Sequence, residues 1–279
     1  MTLLTALSRL SYPGKYRVFN VLDRLGALSG DIHCKVGPYS CTVPADQFHF
    51  WRIGGPRNYQ IRRIQRFAYD LNALNEPFDF FDLGADVGVV SLQIRRFCPR
   101  LRRIIAVEPN PKAFPYLRKN LAGLDVKTEA INAAVSNFDG TARFMFDSTQ
   151  RSDHGGHLGH LDSSGGQEVK VLTVDSIAGD HARAIALKVD VEGAEKAVFE
   201  GARKTLAASK STLLFLEIEP GVVKRTGISP ETIFETAESI RPFSWRLADE
   251  GTAAVDRGRP FFDQFSSDHQ YDLIGASVS

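Results

Sequence analysis

Phe78-Asp79-Phe80-Phe81-Asp82-Leu83-Gly84-Ala85-Asp86-Val87-Gly88 is a short apolar strand that breaks into a glycine-bounded turn, with an apolar helical stretch following to Phe97. The same order of strand, turn and helix then recurs. Residues 104–107 form a second apolar run ending in Glu108-Pro109-Asn110, before a helical pattern over 111–121. A third strand at 126–131 leads into Asn132-Ala133-Ala134-Val135, and two more buried strands at 184–189 and 213–218 flank a helix expected over 192–208. Strands alternating with helices predict an α/β fold with a parallel, doubly wound sheet. Two late pieces, 243–247 and 271–274, suit a closing antiparallel pair on one edge.

Outward from this core the grammar changes. Residues 1–76 read as a small α+β extension and 77–279 as the main domain. Within the extension, Val18, Leu22, Leu25 and Leu28 recur at helical spacing, and residues 33–36 and 39–43 read as a hairpin around Gly37-Pro38. After Pro56, Ile61, Ile64, Phe67, Ala68, Leu71 and Leu74 mark one face of a longer helix. Arg57, Arg62, Arg63 and Arg66 fall largely off that stripe and read as a solvated face. Between the third and fourth core strands lies a long Gly/His/Ser-rich connection at 148–166, whose length suggests a lid over the site.

Composition narrows the function. The 279 residues are 43% hydrophobic and 24% charged, as in a globular protein. Lys plus Arg number 34 against 33 Asp plus Glu, a net charge of +1, so nothing in bulk favours nucleic acid or an anionic membrane. No apolar run approaches the ~20 residues of a membrane span. The N-terminal apolar run has no preceding basic residue and Arg9 interrupts it, so no secretory signal is expected and the cytoplasm is the expected compartment. Three cysteines without a C-x-x-C pair signal neither zinc nor a disulfide framework. Cys34 and Cys41 would face each other across the hairpin, as reduced thiols in a cytosolic chain.

Doubly wound sheets bind ligands at the carboxyl ends of their strands, near the switch point. A dinucleotide site wants G-x-G-x-x-G after the first strand, and here Asp86 stands where the middle glycine should be. A carboxylate facing a diphosphate is unfavourable, which weakens a reading as an NAD-dependent oxidoreductase. A ligand with adenosine, a positive centre and no phosphate suits the acidic lip, and S-adenosylmethionine has that chemistry. The Gly84-Ala85 turn and Gly88 would let the backbone approach its amino-acid part. Asp82 would receive the ammonium directly or through water, and Glu108 would accept both ribose hydroxyls. The other alternative is a non-catalytic module that binds an adenosine ligand.

The segments 81–88, Val107-Glu108-Pro109-Asn110-Pro111, Asn132-Ala133-Ala134-Val135-Ser136 and Leu187-Lys188-Val189-Asp190-Val191-Glu192-Gly193-Ala194-Glu195, with Leu216-Glu217-Ile218, resemble the FkbM-type methyltransferases. The similarity runs over about residues 78–218, and the D-x-E-G-x-E block is its most family-specific part. The resemblance implies a Rossmann-like seven-stranded sheet of the class I methyltransferase kind, S-adenosylmethionine as donor, and adenine stacked against Ala133-Ala134-Val135. It also implies O-methylation of a hydroxyl, often on a sugar or on a glycosylated or polyketide-type metabolite. The acceptor is then a small molecule or glycan, not a nucleic acid. The His-rich insert follows no fixed pattern of the family, so the substrate is not inherited.

Around the fourth strand, Lys188, Asp190, Glu192 and Glu195 surround a strand-to-helix junction. Asp190 could be a helix N-cap, but it also stands at the sheet's carboxyl edge beside the first strand. The reading taken is a site residue, both near the cofactor and as candidate base. Lys188, inside a buried strand, needs a charged partner. Glu217 is a second carboxylate on the same rim. With Asp190 it could hold Mg²⁺, but no diagnostic metal spacing is present and metal independence is the expectation. His154, His157 and His160 repeat every third residue, but the neighbouring glycines argue against a helical metal face. A mobile polar lid is the plain reading; the sharper one makes His157 a proton acceptor from the substrate hydroxyl.

Overall fold

In the computed structural model, the described residues are 30–145, 160–161, 166–249 and 253–278, with isolated positions between 14 and 25. The chain starts with a hairpin, β1 (Asp31–Val36) and β2 (Tyr39–Pro44), in which Cys34 pairs opposite Cys41 and both remain free thiols. A short helix α1 (Phe48–Arg52), a 3₁₀ turn (Pro56–Asn58) and the helix α2 (Ile61–Ala73) follow. The wound core then runs β3 (Phe78–Leu83), α3 (Val89–Phe97), β4 (Leu101–Val107), α4 (Phe114–Leu121) and β5 (Lys127–Ile131). After an excursion it resumes with α5 (Val174–Ala178) and β10 (Ala184–Val189). The excursion consists of four strands, β6 (Ala134–Val135), β7 (Gly140–Met145), β8 (His160–Leu161) and β9 (Gln167–Leu172), which make a sheet of their own. The chain continues α6 (Glu195–Glu200), α7 (Arg203–Ala208), β11 (Ser211–Ile218), α8 (Pro220–Thr226), α9 (Pro230–Glu238), β12 (Phe243–Leu247), α10 (Phe261–Gln264) and β13 (Tyr271–Ser277).

The main sheet has seven strands in the order β12-β13-β11-β10-β3-β4-β5. β3 pairs in parallel with both β4 and β10, and β13 is antiparallel to β11 and β12. From β3 the chain winds outward through β4 and β5, then restarts on the other side at β10. The switch point therefore lies between β3 and β10, where two connections leave in opposite directions. β3 is buried throughout because both faces are covered. Phe78 and Phe80 face α2 and α3, whereas Phe81 and Leu83 face the core holding Val198, Phe199 and Phe234.

Helix α2 belongs to this packing: Phe67 on its apolar stripe lies 5.3 Å, ring to ring, from Phe215 of β11. The hairpin is tied to α4 through Asn120, whose side chain bonds the Thr42 backbone on both sides and also Val87 O. Two expectations shift. The helix expected over 192–208 starts only at Glu195, because Glu192 (φ +54°) and Gly193 (φ +106°) turn left-handed. It is also split at Gly201-Ala202, where the Gly201 carbonyl accepts from Asp175 N–H and the Asp175 carboxylate caps the second half at Lys204 and Thr205. The expected lid at 148–166 lies mostly outside the described residues, as do His154 and His157. Its described strand, β8, pairs with β7. Among the described residues no helix is long and apolar enough to cross a membrane.

Candidate active site

Leu83 and Val189 end neighbouring strands, and the chain beyond them forms the floor of a crevice. Gly84 (φ +76°) is demanded by that close approach, since a Cβ there would stand 1.8 Å from the Asp190 carbonyl oxygen. The N–H groups of Gly84 and Ala85 both donate to Val107 O at 3.0 Å, which ties the turn to the end of β4. The crevice is lined by Gly84, Ala85, Asp86, Glu108, Ala133, Ala134, Val135, Lys188, Asp190 and Glu192, with Phe50 and Tyr59 from the extension and Phe144 from the small sheet. The crevice encloses about 70 Å³.

Glu108 sits at the end of β4 with both carboxylate oxygens held: Asp86 N–H donates to Oε2 and Asn110 N–H to Oε1, each at 2.8 Å. Burial and then the neighbouring Asp86 carboxylate push its pKa up to about 8, against the pull of those two N–H donors. Each oxygen keeps a second lone pair for a further donor. Asp86 is itself steered by Gln47 Nε2, which bonds its two oxygens at 2.9 and 3.1 Å.

Lys188 explains its presence in a buried strand. Its Nζ donates to Gly84 O at 2.8 Å, pairs with Asp190 Oδ2 at 2.9 Å and lies 3.7 Å from Asp82 Oδ1. Burial alone would lower its pKa, but the Asp190 and Asp82 charges outweigh that and raise it, so the ammonium persists. Asp82 is wholly buried beneath the turn and accepts from Ser91 Oγ at 2.6 Å. Burial raises its pKa, opposed by Lys188.

Asp190, Glu192 and Glu217 bring one oxygen each within 4.8 Å of one another, a donor set suited to a hard divalent cation. Burial, then the Asp190 charge, lifts Glu192 to about 8 and Glu217 well above the usual carboxylate range. Arg225 Nη2 donates to Glu192 O at 2.7 Å, which fixes the left-handed junction.

Of the residues singled out in the sequence, Gly84, Ala85, Glu108, Ala133, Ala134 and Asp190 meet in the one crevice. Asp82 does not reach it. Its carboxylate lies beneath the turn, bonded by Ser91 Oγ and 3.7 Å from the Nζ of Lys188, its register partner on β10, which does line the crevice. Gly88 also stands off the wall; it precedes α3, and a Cβ there would lie 2.8 Å from Leu117 Cδ1 of α4. Glu217 lines an adjoining cavity with Asp190 and Glu192. His157 falls outside the described residues. The capping alternative for Asp190 lapses, because α6 begins at Glu195 with Ala194 as its N-cap position. Phe50, Tyr59 and Phe144 were not anticipated; a turn signal at Gly54-Gly55-Pro56 is all the sequence offers near Tyr59.

A doubly wound seven-stranded sheet with its reversed strand next to the edge, and an acid closing the second strand beside a glycine turn, defines a Rossmann-like methyltransferase fold. Residues 82–243, more than half the chain, match the family model of the methyltransferase FkbM domain, and the chain belongs to that family. Among solved structures it is similar to the FkbM methyltransferase from Methylobacillus flagellatus KT, at 15% identity and a TM-score of 0.50 over 98% of this chain and 57% of that one. The chain thus spans little more than half the length of that relative. It is also similar to M. jannaschii TYW2 in complex with AdoMet (12% identity, TM-score 0.44, 89% of this chain and 85% of that one). A third likeness is to the precorrin-6y C5,15-methyltransferase from Geobacter metallireducens GS-15 (14% identity, TM-score 0.35, 76% and 88%). No curated protein matches the chain significantly.

Proposed function

We propose that the protein transfers a methyl group from S-adenosylmethionine to a hydroxyl of a small molecule or glycan, such as a sugar or a glycosylated or polyketide-type metabolite. The observation that carries this reading is Glu108: a buried carboxylate, aimed by two backbone N–H groups, at the strand end beside a turn only glycine can make. A ribose diol offers two O–H donors to its remaining lone pairs. Ala133, Ala134 and Val135 offer an apolar wall for adenine, and the carboxyl groups of Asp86, Asp190 and Glu192 line the crevice where the sulfonium and ammonium would lie. The same Asp86 would face a pyrophosphate in the oxidoreductase alternative and repel it.

The donor supplies an activated methyl group, so the protein's task is to align the acceptor oxygen and take its proton. Asp190 is the proposed base; Lys188 fixes its orientation from below. Glu192, titrating near 8 on the same wall, is a second group able to exchange a proton at neutral pH. The reading is metal-independent; were Mg²⁺ required, Asp190, Glu192 and Glu217 would hold it. Calorimetry with S-adenosylhomocysteine tests the donor site. Glu108→Ala should weaken binding by the ~1.5–3 kcal/mol of hydrogen bonds to a charged group. Unchanged affinity in a folded variant would end the ribose assignment.

A further inference from the structure

The chain has three cysteines, and the hairpin holds two of them. Cys34 of β1 and Cys41 of β2 are direct register partners, so their side chains leave the ribbon on the same face, among Val36, Val43 and Trp51. Both are free thiols, Cys41 buried and Cys34 half-buried. The ribbon that carries them is fixed at both ends. Near the turn Tyr39 Oη donates to Asp125 at 3.0 Å, and at the open end Tyr116 Oη donates to Asp31 at 2.7 Å. Next to Cys41, Asn120 bonds both backbone groups of Thr42. The fold therefore keeps the two thiols opposite each other.

We infer that Cys34 and Cys41 are a reversible thiol–disulfide site, closed into a cross-strand bond by a low-molecular-weight disulfide such as glutathione disulfide. This chemistry belongs to the extension and stands whether or not the crevice binds S-adenosylmethionine. Directly opposed residues of an antiparallel pair have Cα atoms about 4.5–5.5 Å apart, inside the ~4.4–6.8 Å that a disulfide spans, so the bond forms without unfolding the ribbon. The two thiols also take different parts. Cys41 donates its S–H to Cys34, which holds the Cys34 thiol below its ordinary pKa against the opposing effect of burial and raises that of Cys41. Half-buried Cys34 is thus the attacking thiol, and Cys41 behind it is the resolving one. Cys98, which follows α3, gives the contrast. It lies in another part of the core with Ile94 and Leu101, burial pushes its thiol up to about 12, and its sulfur is 4.0 Å from Ala68 O.

The Cys34 thiolate attacks one sulfur of glutathione disulfide and forms a mixed disulfide. The released glutathione thiolate takes up the proton that Cys34 gave to water. That step removes the acceptor that held the Cys41 proton, so Cys41 ionises more readily. Its sulfur then attacks the Cys34 sulfur and expels the second glutathione, which leaves with the Cys41 proton. Two thiols are oxidised to one disulfide, and one glutathione disulfide is reduced to two glutathiones. Excess dithiothreitol runs the exchange backwards.

The test uses the full chain, first reduced and then incubated with excess glutathione disulfide. Intact-mass measurement should show a chain lighter by two hydrogens, and dithiothreitol should restore the reduced mass. Peptide mapping should join Cys34 to Cys41 and leave Cys98 a thiol. On the reduced, native chain iodoacetamide should alkylate Cys34 at least tenfold faster than Cys98. Cys41→Ser should stop at a glutathione adduct on Cys34, and Cys34→Ser should form neither bond nor adduct. Circular dichroism checks that both variants fold, and the wild-type mapping needs no variant. A lasting adduct on wild-type Cys34, a bond that involves Cys98 or a second chain, equal alkylation of Cys34 and Cys98, or no reaction with glutathione disulfide would overturn the inference. Failure to bind S-adenosylhomocysteine would count against the donor site alone, so the two failures are distinct.

Discussion

Lys188 joins the fold to the site, and removing it has a calculable cost. In Lys188→Met the apolar stem is retained, but the fully buried Asp82 keeps the Ser91 hydroxyl and backbone N–H and loses its countercharge, and Gly84 O loses its donor. Breaking a buried ion pair from one side costs about 3–5 kcal/mol. Asp82 can escape by protonating, which bounds its own share: holding an acid of ordinary pKa ~3.9 neutral at pH 7 costs ~1.36 kcal/mol per unit, or about 4 kcal/mol. The expected loss at pH 7 is thus about 3–4 kcal/mol by urea denaturation. Its sign with pH follows from the raised folded-state pKa of Asp82. Between pH ~4 and 7 the folded variant binds more protons than the unfolded chain, so its stability falls as pH rises, by up to ~1.4 kcal/mol per unit. Adding Asp82→Asn removes the stranded charge, so the double variant should regain at least half of the lost stability and lose the pH slope. A loss under ~1 kcal/mol, or a double variant no better than the single, would refute the argument that Lys188 is held by this buried pair.

Glu108 predicts a pH-dependent donor affinity: its pKa is about 8 in the free protein, and ribose hydroxyls favour the ionised form. S-adenosylhomocysteine should bind with proton release below pH 8, losing up to about tenfold in affinity per unit as pH falls from 8 to 6, and levelling above 8. A flat calorimetric profile would count against ionised Glu108 as the ribose acceptor. Gly84→Ala should lower thermal stability by more than the 1–2 kcal/mol of a left-handed residue, because its Cβ would stand 1.8 Å from Asp190 O; an unchanged melting temperature would show the turn to be looser. Asp190→Asn should reduce kcat about a hundredfold or more with donor affinity retained. Restoration of that rate by Mg²⁺ would move Asp190 from base to metal ligand.

What the chain's order reveals depends on how local the deciding interactions are. The strands at 78–83 and 184–189 are readable because both faces are covered, so the apolar run is continuous and its length marks a strand. Glu108 is readable because one strand, one turn and one helix place it beside Gly84 whatever the loops do. Asp82 stands outside the crevice wall but 3.7 Å from Lys188, its register partner on β10, which lines it; that pairing joins residues 106 positions apart and is not legible in either strand alone. The start of α6 is different in kind. Glu192 is a good helix former that takes φ +54° only because Arg225, 33 residues on, grips its carbonyl. Tyr59 belongs to the same class: it stands just before α2 and lines the crevice through the docking of that helix on the sheet at Phe215, far along the chain. The proposed donor site is thus written within a few residues of the strand ends, where it can be read in order, whereas Tyr59 reaches that site only through the fold.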